Sequence, residues 1–196
     1  MIRIGILGEI GSGKSYVANS FGYPVFNADR EVSEIYKKNK KIFQKLNKKL
    51  PSYIFSFPIN KFEITKAILA KEGNLKKIID IIHAEIRKKM KLFLKKNRNK
   101  KIVILDIPLL LENKITNKKD ILIFVDSKKA EIEKRLKIRA NFNRKLINKF
   151  RKIQFSSNFK KRKSNFIIKN DFKSKSVKKS VKSILKKNFV NERNSA

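Results

Sequence analysis

The chain has 196 residues, 51 of them Lys or Arg against 16 Asp or Glu, for a formal charge of +35. That length suits one domain with room for an inserted lobe, and 41% hydrophobic residues is too many for a disordered basic tail. The absence of Cys excludes a disulfide scaffold, a zinc finger and a thiol nucleophile, and no apolar run approaches the ~18–20 residues that span a bilayer. The expectation is a soluble, cytoplasmic, globular protein.

The first predicted element is a buried strand over residues 2–7, a β-branched apolar run that stops at Gly8. From Lys14 the residues Val17, Ala18 and Phe21 recur at helical spacing until Gly22 and Pro24 end the helix. A very short strand over 24–26 follows. Residues 30–50 then place Val32, Ile35, Tyr36, Ile42, Phe43 and Leu46 among lysines, the pattern of one or two amphipathic helices. Residues 51–58, bounded by prolines, break that pattern. Helical spacing returns over 64–96 with Ile78, Ile81, Ile82 and Ile86 on one face, interrupted near Gly73. Residues 102–105 and 121–125 are continuous apolar runs, as in strands covered on both faces. A helix in one or two pieces over 131–152, a short strand over 165–168 and a closing helix through Val177, Val181 and Ile184 complete the reading, with a frayed tail over 189–196.

Strands alternating with helices predict a parallel α/β sheet. The helical stretch between the second and third strands is about 70 residues long, against the dozen or so that a crossover needs, so the surplus reads as a helical lobe.

The charge does not by itself predict a nucleic-acid partner. The chain holds 41 Lys against 10 Arg, with 19 Asn, 28 Ile and 15 Phe, and Lys, Asn, Ile and Phe all have AT-rich codons. The positive residues are also spread along the chain rather than gathered on one element. Mutational bias accounts for such a distribution.

Residues 8–15, Gly-Glu-Ile-Gly-Ser-Gly-Lys-Ser, match the phosphate-binding loop and fall between a predicted strand and a predicted helix. Gly8, Gly11, Ser12 and Gly13 would let successive amides face nucleotide phosphates, and Lys14 would reach the terminal phosphates. The Ser15 hydroxyl would ligate Mg²⁺, and Tyr16 would complete the nucleotide contacts. Asp29 follows the second strand, where it either orients an acceptor hydroxyl or caps the next helix. Asp106 ends the third strand, where it either holds Mg²⁺ through water or caps a loop. Arg135 and Arg139, four apart on one face of the predicted helix, either clamp a transferring phosphoryl group or form a solvated basic face. His83, the only histidine, is either a packed residue or a substrate contact.

Taken together, the loop at 8–15, Asn27-Ala-Asp29, His83, the Asp-Ile-Pro-Leu-Leu-Leu-Glu-Asn block at 106–113, Arg135 with Arg139, Gln154 and Asn170 resemble the dephospho-coenzyme A kinase family from residue 1 to about 185. The resemblance implies the P-loop kinase fold, a parallel five-stranded sheet flanked by helices with an inserted helical lobe and a lid. It divides the chain into a nucleotide core (1–29, 99–129, 162–188), a CoA-binding lobe (30–98) and a lid (130–161). It implies ATP-dependent phosphorylation of the ribose 3′-hydroxyl of dephospho-CoA, with Asp29 as base and Lys14, Arg135 and Arg139 as catalytic partners. Asp29, His83 and Asp106 would bind substrate, Asn170 the nucleotide, and Ser15 with Asp106 the Mg²⁺. No obligate nucleic acid and no membrane are expected, and a monomer is favoured.

Several positions depart from the family pattern. Asn27 replaces an aspartate, Glu9 a glycine, Tyr16 a threonine and Ala84 a proline, while Lys61, Ser157 and Lys160 stand where arginines are usual. A lysine keeps the charge of an arginine but not its fork. Two other readings remain open: a different P-loop small-molecule or nucleoside kinase, and a P-loop-derived protein that binds nucleic acid through its charge.

Overall fold

A computed structural model describes residues 1–140 and 142–189, and side chains up to residue 186 apart from Asn141. In chain order the elements are β1 (Ile2–Gly8), α1 (Lys14–Ser20), β2 (Val25–Asn27), α2 (Ala28–Lys38), α3 (Lys40–Lys49), α4 (Lys61–Ala70) and α5 (Asn74–Lys96). They continue as β3 (Ile102–Asp106), β4 (Ile121–Asp126), α6 (Lys129–Lys137), α7 (Arg144–Lys152), α8 (Ser157–Lys163), β5 (Phe166–Lys169) and α9 (Ser174–Phe189). The chain divides into two compact units. A sheet unit comprises Met1–Phe26, Asn97–Phe142 and the chain from Ile153 onward, and a helical unit comprises Asn27–Lys96 with Asn143–Lys152.

In the sheet unit the strand order is β2-β3-β1-β4-β5. The pairings of β1 with β3, β1 with β4 and β4 with β5 are parallel, as the apolar runs predict. Successive strand residues point to opposite faces. Ile4 and Ile6 of β1, with Ile102, Ile104, Ile123 and Ile168, therefore pack against Val17, Ala18 and Phe21 of α1 and Val177, Val181 and Ile184 of α9. Each of these Ile, Val and Phe side chains contributes roughly 1.5–3 kcal/mol on burial. All five residues of β3 are buried, so a run without polar alternation is what this position requires. Gly5 leaves space for Leu110 and Leu122, whose methyls would stand 2.7 and 2.9 Å from a β-carbon there.

The helical unit is assembled through caps and apolar spines. Asn27 Oδ1 accepts the Arg30 N–H at 2.8 Å, so the cap of α2 is Asn27 and not Asp29, as the capping alternative had it. Asp29 instead occupies the first turn with Glu31, where a carboxylate meets the positive end of the helix. The stretch expected as one or two helices is two. Asn39 ends α2 and accepts the Ile42 N–H at 3.0 Å to start α3. Ile78, Ile82, Ile86 and Met90 form the buried spine of α5, with Ile81 half-buried beside them. The buried Glu63 accepts the backbone N–H groups of Phe55 and Ser56, at 3.0 and 3.3 Å, and the Ser56 hydroxyl. The loop between the two prolines is thereby organised by one carboxylate.

α8 was not anticipated. Its cap is Ser156, whose hydroxyl accepts the Phe159 N–H at 3.2 Å, but a lysine-rich turn offers little apolar period to read. Beyond residue 189 the expected tail lies outside the described residues.

Candidate nucleotide site in the sheet unit

The phosphate loop leaves the end of β1 and becomes α1 at Gly13. Gly11 and Gly13 hold φ of 87° and 86°, the left-handed region that side-chain-bearing residues resist. Space is as restrictive as torsion at Gly13, where a β-carbon would lie 2.5 Å from Asn170 Nδ2. That approach exists because Asn170, buried after β5, donates to the Ser12 carbonyl at 2.8 Å. Ser127 Oγ donates to the same carbonyl at 3.0 Å. The loop is thus tied to the ends of β4 and β5, and within it the Ser12 N–H donates to Glu9 O at 3.1 Å. No acidic residue stands in the first turn of α1, while Glu9 places a carboxylate on the loop itself, bonded by Ser157.

Lys14 Nζ donates to the carbonyls of Glu9 and Gly8, at 2.8 and 3.3 Å, which holds the ammonium over the loop. Ser12 Oγ is buried with no hydrogen-bond partner, an orphan polar atom inside a phosphate-binding turn. Ser15 and Tyr16 are exposed at the start of α1. Asp106 is buried at the end of β3, the strand beside β1, so it ends at the sheet edge outside which open α/β sheets bind ligands.

The two arginines do not share a helical face as expected. α6 ends at Lys137, capped by Ile138, and Arg139 lies in the following turn, donating its N–H to Leu136 O at 3.2 Å. The reason is local: Ile138 is 82% exposed, so no apolar anchor carries the helix further. Arg135 lies on α6 with its guanidinium 4.1 Å from the centre of the Phe172 ring. Phe172 has φ of 64°, and its N–H donates to Asn170 Oδ1 at 2.9 Å.

The structure therefore brings together Gly8, Gly11, Ser12, Gly13, Lys14 and Asn170. Asp29 and His83 belong to the helical unit, Asp29 exposed in the first turn of α2 and His83 half-buried within α5. Sequence reasoning missed the partners of Glu112, which accepts the Phe155 N–H at 2.8 Å and pairs with Lys160 Nζ at 3.0 Å. It also missed Ser157, which donates to Glu9 on the phosphate loop. Ser157 and Lys160 are marked in sequence as departures from usual arginines, and a carboxylate is scarce enough in this chain to mark Glu112, but nothing local tells which of them meet. Among the described residues no cluster of three or more His, Asp or Glu is arranged to hold a metal, and no helix is long and apolar enough to cross a membrane.

Comparison with known proteins places the chain in a family. The chain is 32% identical over 158 residues to the dephospho-CoA kinase of Wolbachia pipientis wMel, covering 78% of this chain and 80% of that one. Among solved structures, a Thermus thermophilus protein superposes with a TM-score of 0.73 at 23% identity, covering 95% of this chain and 97% of that one. The dephospho-CoA kinase from Campylobacter jejuni follows the same fold, with a TM-score of 0.59 at 20% identity and coverage of 94% and 96%. The profile of the dephospho-CoA kinase family matches residues 2–176, from the first strand through the phosphate loop to the start of α9. With residues 2–176 matched by the family profile and a relative 32% identical over 158 residues, the chain belongs to the dephospho-CoA kinase family.

Proposed function

We propose that the chain transfers the γ-phosphoryl group of ATP to the ribose 3′-hydroxyl of dephospho-CoA, giving coenzyme A and ADP, the last step of coenzyme A synthesis. The observation that carries this reading is the family match across residues 2–176, anchored on a phosphate loop built at the end of β1. ATP is the phosphoryl donor of a kinase of this family. The cytoplasm is the compartment proposed for it.

Phosphoryl transfer passes through a loose transition state, so positioning and charge neutralisation carry most of the catalysis. In this reading Lys14, the loop amides, Arg135 and Arg139 neutralise the phosphoryl oxygens, while Tyr16 and Asn170 help hold the nucleotide. Asp29, with His83 on the substrate side, orients the acceptor hydroxyl. A carboxylate is a weak base toward an alcohol, so Asp29 takes the proton late. Mg²⁺ suits the donor set, since Ser15 and Asp106 offer oxygen atoms only and Mg²⁺ keeps several of its waters. Bound there, it would neutralise phosphate charge. We assign residues 30–98 to the CoA-binding lobe and 130–161 to the lid on the same grounds.

The test is turnover. Purified protein with Mg-ATP is offered dephospho-CoA, adenosine, shikimate or gluconate, with ADP release and product mass as readouts. Turnover with dephospho-CoA alone supports the reading. Turnover with another acceptor, or none with any, rejects it. Asp29→Asn should lower kcat by at least about 10², and an unchanged kcat removes Asp29 as the base.

A further inference from the structure

A buried ion pair in the sheet unit has no part in the reading above. Lys160 of α8 and Glu112, in the segment after β3, meet at 3.0 Å with side chains only 4% and 9% exposed. Taking two charges out of water is costly, and apolar residues of similar volume usually serve stability as well or better. Packing therefore gives no reason for a Lys–Glu pair at this place. The surroundings do. Lys160 and Glu112 line a small cavity together with Gly8, Lys14, Leu109 and Gln154. Leu109, a bulky residue, holds φ of 59°, a costly backbone state of the kind that concentrates at functional sites.

Three hydrogen bonds fix this arrangement. Glu112 Oε1 accepts from both Lys160 Nζ and the Phe155 N–H, and Ser157 donates to Glu9 on the phosphate loop. The cavity touches the Gly8 end of the loop and Lys14. Gly11, Gly13 and Asn170, at the other end, do not line it. If the nucleoside lies toward Asn170, the outermost phosphate lies toward Gly8.

We propose that Lys160, oriented by Glu112, is a further phosphate-contacting cation of this site, beside Lys14, and recognises the γ-phosphate, so that it separates ATP from ADP. The inference rests on reading the loop as an ATP site, and not on the identity of the acceptor. A lysine held by a carboxylate is fixed in direction, and Lys160 lines the same small cavity as Lys14 and Gly8.

The test is calorimetric titration of the full chain with ATP and with ADP, each with Mg²⁺ and no acceptor, so that failure of the dephospho-CoA reading leaves it intact. Lys160→Gln keeps a donor for Glu112 but removes the charge. The double variant Lys160→Met with Glu112→Leu replaces the pair with apolar side chains and should fold as well as the parent. In both, ATP affinity should fall about tenfold or more while ADP affinity stays within about twofold, the size expected for one charged hydrogen bond. Lys160→Arg should retain much of the discrimination. Unchanged affinities in a folded variant would make the pair a packing element, and an equal loss for both nucleotides would mean that it shapes the loop instead. Either result overturns the proposal.

Discussion

The two units place their few carboxylates differently. In the sheet unit Asp106, Glu112 and Asp120 are withdrawn from water, Asp106 and Glu112 at or just after the end of β3 and Asp120 just before β4 begins. In the helical unit Glu34 reaches Lys38 at 2.8 Å and Lys37 at 3.9 Å on the exposed side of α2, and only Glu63 is deeply buried. With 51 cations and 16 anions, most basic side chains cannot have an acidic partner, so the position of each acid is informative. The helical unit tolerates lysine wherever a helix faces water. The sheet unit exposes lysines in the same way on α6 and α9, and differs in withdrawing three carboxylates from water beside β3 and β4.

The largest test of that contrast is to remove a lysine from each unit. Lys14→Ala should lower kcat by at least about 10², since it deletes a cation aimed at developing phosphate charge. Lys48→Ala, on the exposed face of α3, should change stability by no more than about 0.5 kcal/mol and leave turnover within about twofold. A large effect of Lys48→Ala on kcat would break the comparison and give the helical charge a catalytic use.

Leu46→Ala comes next. Leu46 is fully buried on α3, and its truncation should cost about 2–5 kcal/mol in denaturant unfolding. A cost below about 1 kcal/mol would mean that the helical unit closes around the gap and is more plastic than its spines indicate.

Asn27 tests a cap. Asn27→Ala should cost about 1 kcal/mol, while Asn27→Asp should keep or improve stability, because Asp caps as well as Asn and its charge faces the helix start. If the two variants were equally destabilised, the 2.8 Å bond to Arg30 N–H would not be what secures α2.

The same contrast explains which parts of the molecule could be read from sequence. The parallel sheet was legible because residues 102–105 and 121–125 are unbroken apolar runs, a pattern few other structures need. The phosphate loop was legible because positive φ at Gly11 and Gly13 restricts the residues that fit. The end of α6 was not, since Arg135 and Arg139 keep helical spacing while the exposed Ile138 fails to anchor it. Nor was the pairing of Lys160 with Glu112, which joins residues 48 apart through a tertiary contact that no local pattern encodes.

Asp120 gives the smallest and most specific test of how the sheet unit holds a charge. Arg3 Nη2 lies 2.9 Å from its carboxylate and the Asn117 N–H donates at 2.8 Å, both favouring the ionised form. Burial outweighs them and raises the Asp120 pKa above its ordinary 3.8. A raised pKa means that the folded chain binds this proton more readily than the unfolded one. The stabilising contribution is then complete below the unfolded value and is lost as pH rises through the folded one. Asp120→Asn has no such titration. The stability of the parent minus that of the variant, from urea midpoints across the acid range, should be greatest at the acid end and shrink as pH rises. A difference that grows with pH would mean that the attraction of Arg3 exceeds the cost of burial, and that the sheet unit retains this carboxylate for its ion pair.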